Sequence, residues 1–169
     1  MTKTENHLVY LSIGSNTGDC YSNCLKGIHL LGEADAICIL ERSPFYMTKP
    51  VDYLDQDWFI NGVVKIKTTL DPLPLLQVLR EIEKKIGRKS DGLRFGPRIL
   101  DMDIIFYDDF IMNHAELVIP HPRMHKRCFV LKPLCDIDPS VVHPILNKTI
   151  QSLLSNIDDR DQEVIPYRC

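Results

Sequence analysis

Two carboxylates, Asp101 and Asp103, stand two residues apart in the run Leu100-Asp101-Met102-Asp103-Ile104-Ile105-Phe106-Tyr107, directly after Arg94-Phe95-Gly96-Pro97-Arg98-Ile99. Leu100, Met102, Ile104 and Phe106 alternate with them, the period-two pattern of a half-buried strand, which sets both acids on one face. At a strand rise of about 3.3 Å per residue, their Cβ atoms lie roughly 6–7 Å apart. Repulsion at that separation is about 0.7 kcal/mol in water and about 2.5–3 kcal/mol at an effective dielectric near 20. A partly enclosed pair therefore calls for compensating positive charge. Arg94 and Arg98 stand just upstream, and a divalent cation serves better, because hard cations take carboxylate oxygens. Asp-x-Asp alone reads as a solvent-washed strand face. The Gly96-Pro97-Arg98 turn feeding the strand shifts the reading to a metal and phosphate site.

Arg88, Arg94 and Arg98 together form a candidate anion clamp, since guanidinium forks match phosphate oxygens bidentately and stay charged at physiological pH. A solvated charge face at a helix end accounts for Lys84, Lys85 and Lys89, but suits Arg98 less, because Gly96-Pro97 fixes the turn that delivers it. Gly14-Ser15-Asn16-Thr17-Gly18 lacks the Lys-Ser/Thr ending of a Walker phosphate loop and reads as a strand-to-helix turn. His121 and His125 have the i, i+4 spacing of a zinc helix, yet no zincin Glu follows either, and Pro122 stands between them. His121 is then either a surface residue or a phosphate donor. Phe59, Phe95 and Phe129 are of a type more often found in cores than in ligand platforms. Asn61 faces away from the aliphatics of its own strand and is the more suggestive residue there.

The elements that must position these residues follow from periodicity. Leu8 to Ile13 reads as a strand, and Asp19 is placed to cap a helix whose residues Cys24, Ile28 and Leu31 recur at helical spacing until Gly32. Ile37 to Tyr46 reads as a second strand interrupted near Pro44. Phe59 to Thr68 is a third, with Ile60, Val64 and Ile66 alternating against Asn61, Lys65 and Lys67. Asp71-Pro72 opens a second helix, with Leu75, Leu79, Ile82 and Ile86 as its stripe and Gly87 as its end. The strand Ile99 to Tyr107 follows, then a turn at Asp108-Asp109. Pro120, Pro122, Pro133, Pro139 and Pro144 are expected to break the remainder into short pieces, with a last helix from Thr149 to Ile157. Strand, helix, strand, strand, helix, strand is the order of the ferredoxin-like βαββαβ plan, an α+β sandwich with helices on one face of an antiparallel sheet.

At 169 residues the chain is expected to be a single domain, with its core over about 7–155 and residues 158–169 as a mobile tail. A formal charge of −3 argues against nucleic-acid and anionic-membrane partners, which call for a basic face. Val63-Val64-Lys65-Ile66 and Ile104-Ile105-Phe106-Tyr107 do not read as the aromatic-basic motifs of an RNA-binding module on the same plan. No signal-peptide core and no bilayer-length apolar run is visible, so a cytoplasmic protein is expected. Cys20, Cys24, Cys38, Cys128, Cys135 and Cys169 match no zinc template or disulfide framework and read as free thiols, with Cys38 and Cys135 assigned to the core. A ferredoxin-like module that binds a small ligand without catalysis is the rival reading. It needs no two-carboxylate site.

The run Arg94-x-Gly96-Pro97-Arg98-x-x-Asp101-x-Asp103-Ile104-Ile105 resembles the signature of the 6-hydroxymethyl-7,8-dihydropterin pyrophosphokinases of folate synthesis. Met102 replaces the usual Leu, Ile or Val, a nearly volume-conserving change. Further matches are Gly14-Ser15-Asn16, Phe45-Tyr46-x-Thr48-x-Pro50 and Asp55-Gln56-x-x-Phe59-x-Asn61. Ile82-Glu83-x-x-x-Gly87-Arg88 and Pro120-His121-Pro122-x-Met124-x-x-Arg127-x-Phe129 complete the set, so the likeness runs over roughly residues 7 to 155. Asp52 departs from it, standing where the family usually has Gly, in the loop 48–57. The resemblance implies that Asp101 and Asp103 hold two magnesium ions bridging ATP phosphates. It implies that Arg88 and Arg98 grip those phosphates, that His121 and Arg127 add contacts, and that Glu83 lies nearer the nucleoside. The pterin would stack between Phe59 and Phe129, with Asn61 on its edge and backbone groups of Thr48 and Lys49 completing the pocket. Transfer of a pyrophosphoryl group from ATP to the substrate hydroxymethyl, with release of AMP, comes from the resemblance alone. A monomer, open to association with other folate-pathway enzymes, is the accompanying expectation.

Overall fold

A computed structural model describes residues 5–87 and 96–169. In chain order the elements are β1 (His7–Ser15), α1 (Cys20–Gly32), β2 (Ile37–Arg42), β3 (Tyr46–Thr48), β4 (Phe59–Thr68), α2 (Pro72–Ile86) and β5 (Asp101–Tyr107). Then follow β6 (Met112–Asn113), β7 (Val118–Ile119), a 3-10 turn at Met124–Lys126, α3 (Cys128–Ile137), α4 (Ile150–Ser155) and β8 (Val164–Pro166). The strands pair antiparallel in the order β5-β1-β4-β3-β8, with β2 also on β4, and β6 and β7 form a separate hairpin. Setting aside the appended β8, this is the ferredoxin-like arrangement, with β2 and β3 sharing the place of its second strand.

The local signals explain the helix ends. Asp19 Oδ1 accepts from Ser22 N (3.0 Å) and caps α1. Gly87 ends α2 in the left-handed region, at φ 109°, where a side chain would be strained. Asp71 precedes α2 without a side-chain cap bond, leaving Pro72 at the first turn as the working start signal. Gly32 lies inside the last turn of α1, and Glu33 in a right-handed conformation is its cap.

Both faces of the sheet are covered. Val9, Leu11, Ile13, Val64, Ile66, Met102 and Ile104 pack against Leu31 of α1 and Leu75, Leu79 and Ile82 of α2. On the opposite face Tyr10, Val63, Ile105 and Phe106 pack against Val130, Leu131 and Leu134 of α3 and Ile150 and Leu153 of α4. This second helical layer was not anticipated from sequence, because Pro133 sits inside α3 and reads as a breaker. Burial of Val130, Leu131 and Leu134 on one stripe outweighs the missing backbone bond. Phe106 also departs from simple alternation: the register shifts between Tyr10 and Leu11, so Ile105 and Phe106 both turn to the second face and Tyr107 joins the first.

Residues 158–169 are not a loose tail. β8 pairs with β3, as Thr48 opposes Val164 and Tyr46 opposes Pro166, and Tyr167 N donates to Phe45 O (2.9 Å). Cys38 is exposed, Cys135 is half-buried against the second core, and the fully enclosed thiol is Cys24, whose pKa burial pushes up to about 12. No helix among the described residues is long and apolar enough to cross a membrane.

The second layer makes a direct prediction. Leu131→Ala should destabilise the protein by about 2–5 kcal/mol in urea unfolding, since the side chain is fully buried between α3 and the sheet. Leu146→Ala, at an exposed position, should change stability by less than about 0.5 kcal/mol. Equal, small effects would mean that α3 does not form a core.

Candidate active site

The register of β1 between β4 and β5 builds the floor of the site. Gly14 opposes Asn61 on one side and Asp101 on the other, and Ser12 opposes Val63 and Asp103. Towards one end of this face the strands carry Tyr10, Val63 and Phe106, roofed by α3 and α4. Towards the other end the roof stops, and Ser12, Gly14, Phe59, Asn61, Asp101 and Asp103 line a cavity. Small residues on the central strand are needed there: a Cβ on Gly14 would stand 2.2 Å from Asn61 Oδ1. Asn61 is buried and its Nδ2 donates to Thr48 Oγ1 (2.7 Å) on β3, which fixes the amide's orientation towards the cavity floor.

The cavity walls come from three further segments. Thr48, Lys49, Pro50, Val51, Asp52 and Gln56 form one wall, Gly96 and Arg98 another, and Arg127 and Phe129 at the start of α3 a third. Asn16 ties the first two together. Its Oδ1 accepts from Arg98 N (2.7 Å), its own N–H donates to Arg98 O (3.0 Å), and its Nδ2 donates to Gln56 Oε1 (2.9 Å) and Asp57 O (3.0 Å). In the sequence Asn16 reads as part of a strand-to-helix turn and of the Gly14-Ser15-Asn16 match, with no partner implied. Its contacts lie 40 and 82 residues away, and no local pattern reports them.

Asp101 and Asp103 also line a second cleft, together with Arg80, Glu83, His121 and Pro122. It opens around β5, the edge strand, whose outward backbone groups are taken up by these neighbours. Glu83 is buried and its Oε1 accepts from Met102 N (2.8 Å), while His121 N donates to Ile105 O (3.0 Å). His121 Nδ1 accepts from Arg123 N (3.2 Å). Burial first, then the charges of Arg127 and Arg123, lower the His121 pKa to about 4, so the ring is neutral above pH 5.

Arg127 stands between the carboxylate pair and the loop 48–57. Its guanidinium packs over the Phe129 ring (5.3 Å to the centroid) and donates to Asp52 Oδ2 (2.9 Å). Burial and the nearby Arg123 lower its pKa, against which Asp52 and Asp103 both act. Among the described residues no group of three or more His, Cys, Asp or Glu side chains is close enough to hold a metal alone. Two carboxylates suit a hard cation that completes its shell with water and phosphate oxygens, the habit of magnesium.

Of the residues expected from sequence, Asp101, Asp103, Arg98, Thr48, Lys49, Phe59, Asn61, Arg127 and Phe129 meet at the first cavity. Glu83 and His121 meet the same two carboxylates at the second cleft. Arg88 and Arg94 lie outside the described residues. Asn16 and Asp52 are additions from the tertiary structure.

Two measurements test this geometry. Asn16→Asp keeps an acceptor for Arg98 N but loses the donor to Gln56 and Asp57. Hydrogen exchange should accelerate over residues 53–58 and change little at Arg98; unchanged exchange in that loop would remove Asn16 as its tether. For His121, NMR titration of the free protein should give a midpoint near 4. The unfolded imidazole titrates at about 6.5. The native state therefore binds fewer protons between these values, and this contribution to stability is complete above about pH 6.5 and lost as pH falls towards 4. A midpoint at or above 6.5 would place the ring in solvent.

Residues 10–139 match the profile of the 7,8-dihydro-6-hydroxymethylpterin-pyrophosphokinase family. A Bacillus subtilis protein named 2-amino-4-hydroxy-6-hydroxymethyldihydropteridine pyrophosphokinase is 39% identical over 132 residues, 78% of this chain and 78% of that protein. The folic acid synthesis protein fol1 of Schizosaccharomyces pombe is 39% identical over 154 residues, 91% of this chain but 21% of its own length, so the chain spans about a fifth of that relative. A crystal structure of wild-type Plasmodium falciparum HPPK-DHPS with pteroate superposes with a TM-score of 0.71 at 19% identity, over 89% of this chain and 42% of that one, a likeness of fold. With the signature Gly96-Pro97-Arg98-x-x-Asp101-x-Asp103 delivered into one cavity, the chain belongs to the 7,8-dihydro-6-hydroxymethylpterin-pyrophosphokinase family.

Proposed function

We propose that this protein transfers the pyrophosphoryl group of ATP to the hydroxymethyl of 6-hydroxymethyl-7,8-dihydropterin in folate biosynthesis, releasing AMP. The observation that carries the reading is the position of Asp101 and Asp103 at the junction of two clefts of different chemistry. One offers Phe59 and Phe129 rings with the fixed Asn61 amide, a setting for a flat heterocycle with a hydrogen-bonding edge. The other offers Arg80, Glu83 and His121 and suits a nucleotide. A reacting hydroxyl and a triphosphate can then meet over the carboxylates.

Asp101 and Asp103 would hold two magnesium ions, which supply charge neutralisation at the phosphate oxygens. Arg98 and Arg127 lie on the cavity side of that pair and bind phosphate oxygens, with Arg88 as a further clamp and Thr48 and Lys49 closing the pterin pocket. Asn61 and the two phenylalanines orient the pterin so that its hydroxymethyl oxygen faces the β-phosphorus. That oxygen forms the new bond to the β-phosphorus and gives its proton to solvent. The bond from the β-phosphorus to the α,β-bridging oxygen breaks, and AMP leaves with that oxygen. Catalysis on this reading is positioning and electrostatics rather than a covalent step through the protein. A non-catalytic ligand-binding module accounts for the pterin-like pocket but leaves the carboxylate pair without a task. The S. pombe relative, of which this chain spans about a fifth, makes association with other folate-pathway activities part of the proposal.

Mass spectrometry of products from ATP, magnesium and the hydroxymethyl dihydropterin should show AMP and the pterin diphosphate. ADP and a monophosphate would place the attack at the γ-phosphorus and reject the reading. Asp101→Asn and Asp103→Asn should each lower turnover by about 10²-fold or more, the scale seen when one preorganised electrostatic group is removed. Wild-type turnover of either at saturating magnesium would remove the pair from the reaction.

A further inference from the structure

We propose that Asp52 is an internal stand-in for substrate phosphate: it pairs with Arg127 while the nucleotide is absent and is displaced from it when the triphosphate arrives. The inference rests on the reading that Arg127 binds phosphate. Asp52 Oδ2 accepts from Arg127 Nη2 (2.9 Å) and its Oδ1 lies 3.4 Å from Arg123 Nη1. Only 11% of the Arg127 side chain is exposed, against 35% for Asp52. A guanidinium that far from water needs an anion beside it, and the loop supplies one. The same guanidinium feels Asp103, and Asp52, Asp103 and Arg127 line one cavity.

The loop is otherwise held at its two ends. Lys49 N donates to Glu163 O (3.0 Å) beside β8, and Gln56 and Asp57 are bound by Asn16. Between these anchors, Pro50, Val51 and Asp52 wall the cavity that receives the pterin, and the Asp52 pair is an ionic tie at the tip. A phosphate oxygen carries the same sign as the Asp52 carboxylate and fits the same guanidinium fork. Both cannot hold Arg127 fully. Nucleotide binding therefore breaks a contact that steadies the pterin wall, and the two ligands are linked through one side chain.

Asp52→Asn keeps the shape and removes the competing charge. In calorimetry with the α,β-methylene analogue of ATP and magnesium, the variant should bind about two- to fivefold more tightly, the scale of a partly exposed ion pair that no longer has to be broken. Affinity for hydroxymethylpterin without nucleotide, followed by its fluorescence, should fall, because the wall loses its tie. These opposite signs are the signature. Asp52→Glu, which retains the charge, should bind the analogue as wild type does, without the gain of Asp52→Asn. Unchanged or weaker analogue binding by Asp52→Asn, parallel changes for both ligands, or an Asp52→Glu variant as tight as Asp52→Asn would each overturn the proposal. Failure of the wild-type protein itself to bind the analogue would instead reject the phosphate role of Arg127.

Discussion

The antiparallel register that sets Gly14 between Asn61 and Asp101 is the constraint on which the rest of the site depends. Neighbouring strands lie about 4.8 Å apart, so residues aligned across three strands span roughly 10 Å. That width brings a polar amide and a carboxylate to the two sides of one small-floored cavity. Any side chain at Gly14 would collide with Asn61 and fill that floor. The sheet can leave this end open because α3 and α4 cover the other end of the same face. One surface is thus core along half its length and site along the remainder.

Edge position gives β5 its second function. A central strand would have partners on both sides and expose its acids to one compartment. As an edge strand, β5 presents Asp101 and Asp103 to the cavity over the sheet and to the cleft around its rim. The unpaired backbone of that edge is satisfied by the Glu83 carboxylate and by the carbonyl contact to His121 N. Residues that complete the fold at the edge are therefore the same ones that line the second cleft.

Opposite charges at the site already face one another within the protein. Arg127 is half-enclosed by Phe129 and lies close to Asp103, and the loop contributes Asp52 to it. The neutral state of His121 follows first from its burial and then from the same cationic surroundings, since Arg127 and Arg123 oppose a third positive charge nearby. On the proposed function, substrate phosphates meet a region already arranged for negative charge, and under the Asp52 proposal they displace a carboxylate rather than water alone. Asn16 makes the arrangement collective, because one buried amide side chain fixes Arg98 backbone and loop 48–57 together.

Much of this was legible in the chain itself. The β4 span Phe59–Thr68, the α1 and α2 starts at Asp19 and Asp71-Pro72, and the paired acids of β5 all follow from local periodicity and turn chemistry. These signals are short-range, and the fold obeys them because burial of one face rewards the same pattern that the residues carry. What tertiary structure decided is of longer range. Pro133 within α3, the Ile105 bulge that turns Phe106 to the other face, and β8 closing on β3 all depend on packing that outweighs a local preference. Asn16 joining segments 40 and 82 residues away, and Asp52 reaching Arg127 across 75, are pairings that no window of sequence contains. The chain by itself singled out residues that the fold brings to one cavity. Their distances and counter-charges exist only once the sheet brings remote segments together, because hydrogen bonds and ion pairs act over a few ångströms whatever the separation along the backbone.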